Sequence, residues 1–348
     1  MAQIDKPSEH FNTVTYTGNA SGQTITGVGH QPDFIWIKQR GDAGYDHSLH
    51  NSVSGLLKKL ASNKTDAEVT NTDTITSANA DGFVLGADTA GPAANSVNQD
   101  TKNYVAWNWK ANGAGSSNTD GDITSTVSAN TTAGFSIVKY TGNGSNDQRV
   151  GHGLGARPTA WFIKRLGSAD DWIVYHQGLA TNWYDDTYLY LNSSNAVMGS
   201  VNAGTGNPTS SVFYIGDTGR TGASGDDYIA YVFAEKKGFS KFGSYSGNSS
   251  TNGTFVYTGF KPAFVIIKKH NDTANWMMYD NKREGYNVDN DHLKPNTNEA
   301  EGTSDDLDLL SNGFKLRTSG SGENSGNFIY MAFGQSLVGS NNVPCTAR

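Results

Sequence analysis

Three copies of one short phrase set how this chain can be organised. Tyr16-Thr17-Gly18-Asn19 returns as Tyr140-Thr141-Gly142-Asn143 and as Tyr245-Ser246-Gly247-Asn248. Further landmarks follow each copy in one order. Pro32, Pro158 and Pro262 come first, and five residues beyond each stands an Ile-Lys pair: Ile37-Lys38, Ile163-Lys164 and Ile267-Lys268. Trp172 and Trp276 come next, matched in the first copy to Tyr45. A Leu-x-x-Asn-x-x-x-Ala pattern then recurs at Leu60/Asn63/Ala67, Leu189/Asn192/Ala196 and Leu293/Asn296/Ala300. Each copy closes on an aromatic-rich run: YVAWNWK, YIAYVFAE and FIYMAFGQ. Order and spacing kept together imply three related units. Each is domain-sized, too long for a solenoid repeat.

The units read as all-β. AWFIKR and AFVIIKK are continuous apolar runs, as expected of strands buried on both faces, and polar Gly/Asn/Ser turns separate them. Composition agrees: 41 glycines and only 17% charged residues suit short strands joined by turns better than helices. SGLLKKLASNKTDAE (54–68) has helical leucine spacing, but Leu60 aligns with Leu189 in a Tyr-Leu-Tyr-Leu run, so the alignment predicts strand. The expected fold is three tandem homologous β-sandwich (jelly-roll-like) domains at 11–111, 134–237 and 238–335. A linker at 112–133 and short arms at 1–10 and 336–348 complete the chain. Joined to its neighbour only by that Gly/Ser-rich linker, the first unit is expected to tilt freely. Tyr-Thr-Gly-Asn itself reads as a strand end and turn, with Gly-Asn supplying positive φ.

The formal charge is −7, and no Lys/Arg cluster exceeds a dipeptide, so nucleic acid is not an expected partner. The single cysteine, Cys345, has no partner for an intrachain disulfide. MAQIDKPSEH lacks a signal-peptide pattern, and no apolar run reaches the length of a membrane helix. The expected site of synthesis is therefore a cytoplasm, without membrane insertion.

Chemistry-bearing motifs are sparse. Gly-x-Gly in HGLGARP precedes a proline and a strand, not the helix a dinucleotide site needs. The acid pairs Asp170-Asp171, Asp185-Asp186, Asp226-Asp227 and Asp305-Asp306 sit in turn-like segments and read as solvated. Asp120-Gly121-Asp122 and Asp289-Asn290-Asp291 fall short of a complete calcium loop. The histidines read as turn or edge residues bonded to backbone. Lys38, Lys164 and Lys268 read as strand-end lysines with heads in water, the alternative being an anion site. No catalytic, metal or cofactor residue is assigned. One insertion in the second unit, TNWYDDTY, places Trp183, Tyr184, Asp185 and Asp186 together, a set suited to a glycan or protein contact.

YTGN, GHGLGARP, DWIVYH, YIAYVFAEKKGFSKFGSYSGN, GTFVYTGFKPAFVIIKK, NGFKLR, FIYMAFG, YVAWNWKANG and the tail LVGSNNVPCTAR together resemble a repeat module of structural proteins from marine tailed bacteriophages. The resemblance spans essentially the whole chain. It implies a non-enzymatic virion protein, tail-fibre-like or on the particle surface, assembled in the host and released by lysis. It implies other virion proteins as partners, further copies in a trimer or symmetric ring, and a role in host attachment. The alternative is a module that binds or depolymerises glycans of the host envelope.

Overall fold

The computed structural model describes residues 4–89, 96–179, 187–199, 206–283, 287 and 289–335. Apart from one 3-10 turn, Pro7–Glu9, every regular element among them is a strand. The first repeat contributes β1 (Phe11–Thr17), β2 (Gln23–Ile25), β3 (Phe34–Gln39), β4 (Ser48–Asn51), β5 (Lys58–Lys59), β6 (Val69–Thr70), β7 (Ile75–Asn79), β8 (Gly82–Leu85) and β9 (Asn103–Trp109). Next come β10 (Ser116–Asn118) and β11 (Ser125–Asn130). The second repeat holds β12 (Phe135–Thr141), β13 (Gln148–Gly151), β14 (Ala160–Arg165), β15 (Ile173–His176), β16 (Leu189–Tyr190), β17 (Val212–Ile215) and β18 (Asp227–Phe233). The third holds β19 (Ser240–Ser246), β20 (Phe255–Tyr257), β21 (Pro262–Lys269), β22 (Trp276–Asp280), β23 (Asp289–His292), β24 (Gly302–Leu310), β25 (Gly313–Leu316) and β26 (Asn327–Gly334).

One strand order appears three times. Opening strand, closing strand, third strand and fourth strand run β1-β9-β3-β4, β12-β18-β14-β15 and β19-β26-β21-β22, every neighbour antiparallel. Each repeat sets a second sheet beside this one: β2-β8-β7, β13-β17 and β20-β25-β24-β23. The chain is thus all-β and antiparallel. Residues 54–68 contain no helix: β5 pairs with β6, and Leu60 bridges Leu49 as Leu293 bridges Met278. Helical leucine spacing loses here to strand pairing that the repeat already marked.

Burial explains the apolar runs. In β3, Phe34 and Trp36 face a cluster common to all three repeats, while Ile35 and Ile37 face a cluster belonging to repeat one. β14 divides the same way, with Ala160 and Phe162 inward, Trp161 and Ile163 outward. So does β21, with Phe264 and Ile266 inward, Val265 and Ile267 outward. A strand covered on both faces has no polar face to show, so its sequence does not alternate. The common cluster is the hub of the molecule. Trp109, Phe233 and Phe333, at one position of the three closing strands, meet there with rings 5.7–5.8 Å apart in two of the pairs. A void of about 10 Å³ remains between Phe34, Phe162, Phe264 and these three rings, lined only by apolar groups.

The stretch 112–133, expected to be a linker, is instead part of a sheet. β10 pairs with β11, and the whole of β11 pairs with β12 from Ser125↔Tyr140 to Asn130↔Phe135. Its Gly/Ser/Thr composition hid a hairpin that adds to an available strand edge and buries only a few apolar side chains, chiefly Ile123 and Val127, against the core of repeat two.

The recurrent tetrapeptide serves this fold in three ways. First, Tyr16, Tyr140 and Tyr245 each donate the phenolic hydroxyl to a backbone carbonyl, of Val97, Thr221 and Glu323, at 2.6–2.8 Å. Each ring also stacks on the first aromatic of its closing strand: Tyr104, Tyr228 or Phe328. Second, the glycine has a steric purpose that differs from the expected positive φ. None of Gly18, Gly142 and Gly247 lies in the left-handed region. A Cβ on them would sit 2.1 Å from the Gln99 carbonyl oxygen, 2.4 Å from that of Ala223 and 2.2 Å from the Asn324 carbonyl carbon. Third, Asn19, Asn143 and Asn248 accept from the backbone N–H two residues on, and the left-handed residue is the one between: Ala20, Gly144 or Ser249. Gly142→Ala is therefore expected to destabilise by about 2 kcal/mol or more, since backbone would have to move. Chemical denaturation reads this, and a change within about 0.5 kcal/mol contradicts the steric reading.

Candidate functional site: the junctions that close the ring

Three interfaces join the repeats, one to two, two to three and three to one, and they use the same bonds. Pairing of the third and fourth strands sets Ile37 opposite Ser48, Ile163 opposite Ile173 and Ile267 opposite Met277. The residue before each of those partners is then His47, Trp172 and Trp276. Trp172 Nε1 donates across the junction to Ala61 O at 2.9 Å, and Trp276 Nε1 to Tyr190 O at 2.9 Å. His47 Nε2 donates to Lys294 O at 3.1 Å, its Nδ1 accepting from Trp36 Nε1. The first-repeat counterpart of the two tryptophans is thus His47, not Tyr45. Both side chains offer one ring N–H, and that donor is what the position requires.

The recurrent asparagine holds this donor in place. Asn63, Asn192 and Asn296 each accept from the backbone N–H of His47, Trp172 and Trp276, at 3.0, 2.8 and 3.0 Å. Their amides donate to Asp46, Asp171 and Asn275. A backbone bond repeats alongside. Glu68, Val197 and Glu301 donate their N–H groups to the carbonyls of Leu166, His270 and Arg40, each in the next repeat, at 2.8–2.9 Å. A further contact crosses from the end of each fourth strand. Asn51 Nδ2 donates to the Tyr231 hydroxyl and His176 Nε2 to Tyr330 O, while Asp280 accepts from Trp107 Nε1. Repeat one, expected to tilt, is clasped on both sides.

The three recurrent lysines belong to these junctions, and their heads are not in water. Lys164 and Lys268 are fully buried and Lys38 nearly so. Lys164 Nζ donates to Thr65 O of repeat one and to Asp170 O. Lys268 Nζ donates to Ser194 O of repeat two, and to Lys269 O and Ala274 O. Lys38 Nζ donates to Gln39 O. Burial lowers all three from the ordinary lysine value to about 8. Carbonyl cages like those of Lys164 and Lys268 satisfy a buried ammonium without an acid, and sequence spacing cannot show them because one wall comes from another repeat.

Junction three-to-one departs from the other two. Arg283, fully buried, donates from Nε to Asp280 Oδ2 at 2.7 Å, from Nη1 to Glu301 Oε2 at 2.9 Å and from Nη2 to Met278 O. Its guanidinium carbon lies 5.9 Å from the Trp107 ring centroid. Arg40 reaches over from repeat one to Glu301 and Asp291 at 2.7 and 3.1 Å. An open cleft of about 200 Å³ lined by Arg40, Gly41, Asn103 and Glu301 lies above this network.

Burial also pushes the junction and interior histidines down. His50 falls to about 3, and His30, His152 and His176 to about 4; His47 is lowered as well. Each has a backbone-carbonyl partner, as expected, and His30, His47 and His152 lie in loops and His50 on the edge strand β4, but all five are buried. Their folded values lie below the unfolded value near 6.5, so the unfolded chain binds the extra protons. The stabilisation is complete above about pH 6.5 and is lost as pH falls towards 4. Around pH 5 the histidines are expected to take up about four protons on unfolding, offset in part by Glu323, whose carboxyl, pushed up to about 7 by burial, gives up a proton on unfolding. Denaturant melts between pH 7.5 and 5 measure this, and a flat profile contradicts it.

The remaining candidates read from the sequence are scattered. Trp183, Tyr184, Asp185 and Asp186 lie outside the described residues. Gly153 and Gly155 of HGLGARP have positive φ in a turn. The acid pairs are mostly bonded, not merely solvated: Asp171 to Asn192, Asp226 to Arg165, Asp227 to Thr141 and Asp306 to Ser304 and His292. Asp122 pairs with Arg149 and Asp291 with Arg40. Among the described residues no helix is long and apolar enough to cross a membrane.

Fold and junctions define a class: an all-β protein in which three repeats close a ring about an aromatic hub. The chain belongs to the family described as a domain of unknown function, DUF7483, whose model matches residues 6–336 and so runs through all three repeats. No curated protein matches the chain.

Proposed function

We propose that this chain is a non-catalytic structural component of a phage particle, tail-fibre-like or on the particle surface, made of three homologous β-sandwich domains and contributing to host attachment. The observation that carries the reading is the closed ring. The positions that recur most regularly, the Asn, the Lys and the indole or imidazole donor, are spent on holding one repeat to the next. A chain built this way is a rigid block with internal threefold geometry, suited to a symmetric particle. The paired sheets of each repeat, with an outer core apiece, support the sandwich reading. The resemblance to marine-phage repeat modules supports the virion setting. Other virion proteins, or further copies of the chain, would add through the outer faces, since the inner faces are already used. Quantitative mass spectrometry of gradient-purified particles of the encoding phage tests this. The chain is expected at a fixed ratio to the major capsid protein. Its presence in the lysate but not in the particles overturns the proposal.

A further inference from the structure

The threefold pattern is broken on one outer surface. In β20, Phe255 and Tyr257 point away from the core and are 44% and 59% exposed, while Val256 between them is buried. Cross-strand register gives their counterparts. Val256 faces Phe314 as Ile25 faces Phe83 and Val150 faces Phe213, so Phe255 corresponds to Thr24 and Arg149, and Tyr257 to Thr26 and Gly151. Only the third repeat carries two exposed aromatics here. Residues two apart on a strand sit about 7 Å apart on one face, which makes a short flat ladder of rings. Gly313, opposite Tyr257, keeps the surface low: a Cβ there would lie 3.0 Å from the Phe255 ring.

Cations flank the ladder. Lys241 Nζ lies 5.2 Å from the Tyr257 ring centroid and donates to Tyr257 O. Lys315, directly across from Phe255, donates to Gly253 O. Neither ammonium stands in an ion pair among the described residues, though Glu235 feels the charge of Lys241. Next along the sheet, Arg317 and Asp308 neutralise each other at 2.6 Å. Two ammonium groups outside any ion pair among the described residues, although Asp308 lies across the strand from Lys315, stand beside two exposed rings on a chain with 33 acidic and 26 basic side chains. Aromatic faces stack on the C–H faces of pyranose rings, and the ammonium groups select a ligand with negative charge.

We propose that the outer sheet of repeat three is a binding platform for an anionic glycan, with Phe255 and Tyr257 stacking on successive sugar rings and Lys241 and Lys315 engaging their carboxylates. The inference stands apart from the particle reading: the chain can bind such a glycan whether or not it is found in virions. Isothermal titration of the full chain with a soluble polyuronate (alginate), beside neutral dextran, tests it. Binding to the polyuronate is expected, weakened about tenfold by Tyr257→Ala or Phe255→Ala and further by raised salt. Lys241→Ala with Lys315→Ala should remove the preference over dextran. Both aromatics are exposed, so thermal melts of these variants should match the parent and show that lost binding is not lost folding. No binding to the polyuronate, binding that survives the double aromatic substitution, or equal binding to dextran would each overturn the proposal.

Discussion

Phe333→Ala is expected to lower stability by about 3–5 kcal/mol, the range for emptying a buried aromatic site. The ring meets Phe11 at 5.3 Å and Trp109 at 5.7 Å from repeat one, Phe233 at 5.8 Å from repeat two, and Phe239, Phe242 and Phe264 from its own segment. Removing it enlarges a void already present at the hub, where three sheets leave little freedom to collapse. Urea denaturation measures the loss. A much smaller loss, under about 1 kcal/mol, would mean that the hub does not couple the repeats.

Arg283→Ala is the second large effect, again about 3–5 kcal/mol, for an electrostatic reason. The substitution leaves the fully buried Asp280 carboxylate with only Trp107 Nε1 and two backbone N–H groups, and removes one of the two arginines from Glu301. The other junctions indicate a rescue. Asn51 and His176, at the positions matching Asp280, are neutral and need no arginine. Arg283→Met combined with Asp280→Asn is therefore expected to recover most of the stability, since a buried pair replaced on both sides is often near neutral. Double-mutant analysis of denaturant midpoints checks this. If the double variant is as unstable as Arg283→Ala, the cost does not come from a stranded charge.

Much of the strand plan was legible, because it depends on local pattern. The continuous runs at β14 and β21, the prolines just before or at the start of the third strands and the strand-type pairing of Leu60 in place of a helix, there only the short β5 and an isolated bridge to Leu49, follow from period and alignment. What escaped is long-range. Gly18 is required by Gln99, 81 positions away, so the local turn explanation supplied the wrong cause for the right residue. His47 was passed over for Tyr45 because aromatic character was matched, whereas the fold matches a ring N–H donor at a set register. The lysines read as solvated because their partners are backbone carbonyls, which sequence does not mark, and for Lys164 and Lys268 one of these comes from the preceding repeat. Residues 112–133 read as a linker because a hairpin added to an open edge carries a weak apolar signature, here chiefly Ile123 and Val127. The Phe255/Tyr257 platform had a signal, the alternation in TFVYT, but its meaning appears only against Thr24 and Arg149 at the matching positions.

Differential scanning calorimetry at pH 7.5 reaches most directly the claim that the three repeats are one closed unit. With shared hub and three clasps, the chain should melt in a single transition whose calorimetric and van't Hoff enthalpies agree, near 0.7 kcal/mol per residue, or about 240 kcal/mol in total. Two or three resolved transitions, or a van't Hoff enthalpy near one third of the calorimetric value, would show repeats that unfold separately and would contradict it.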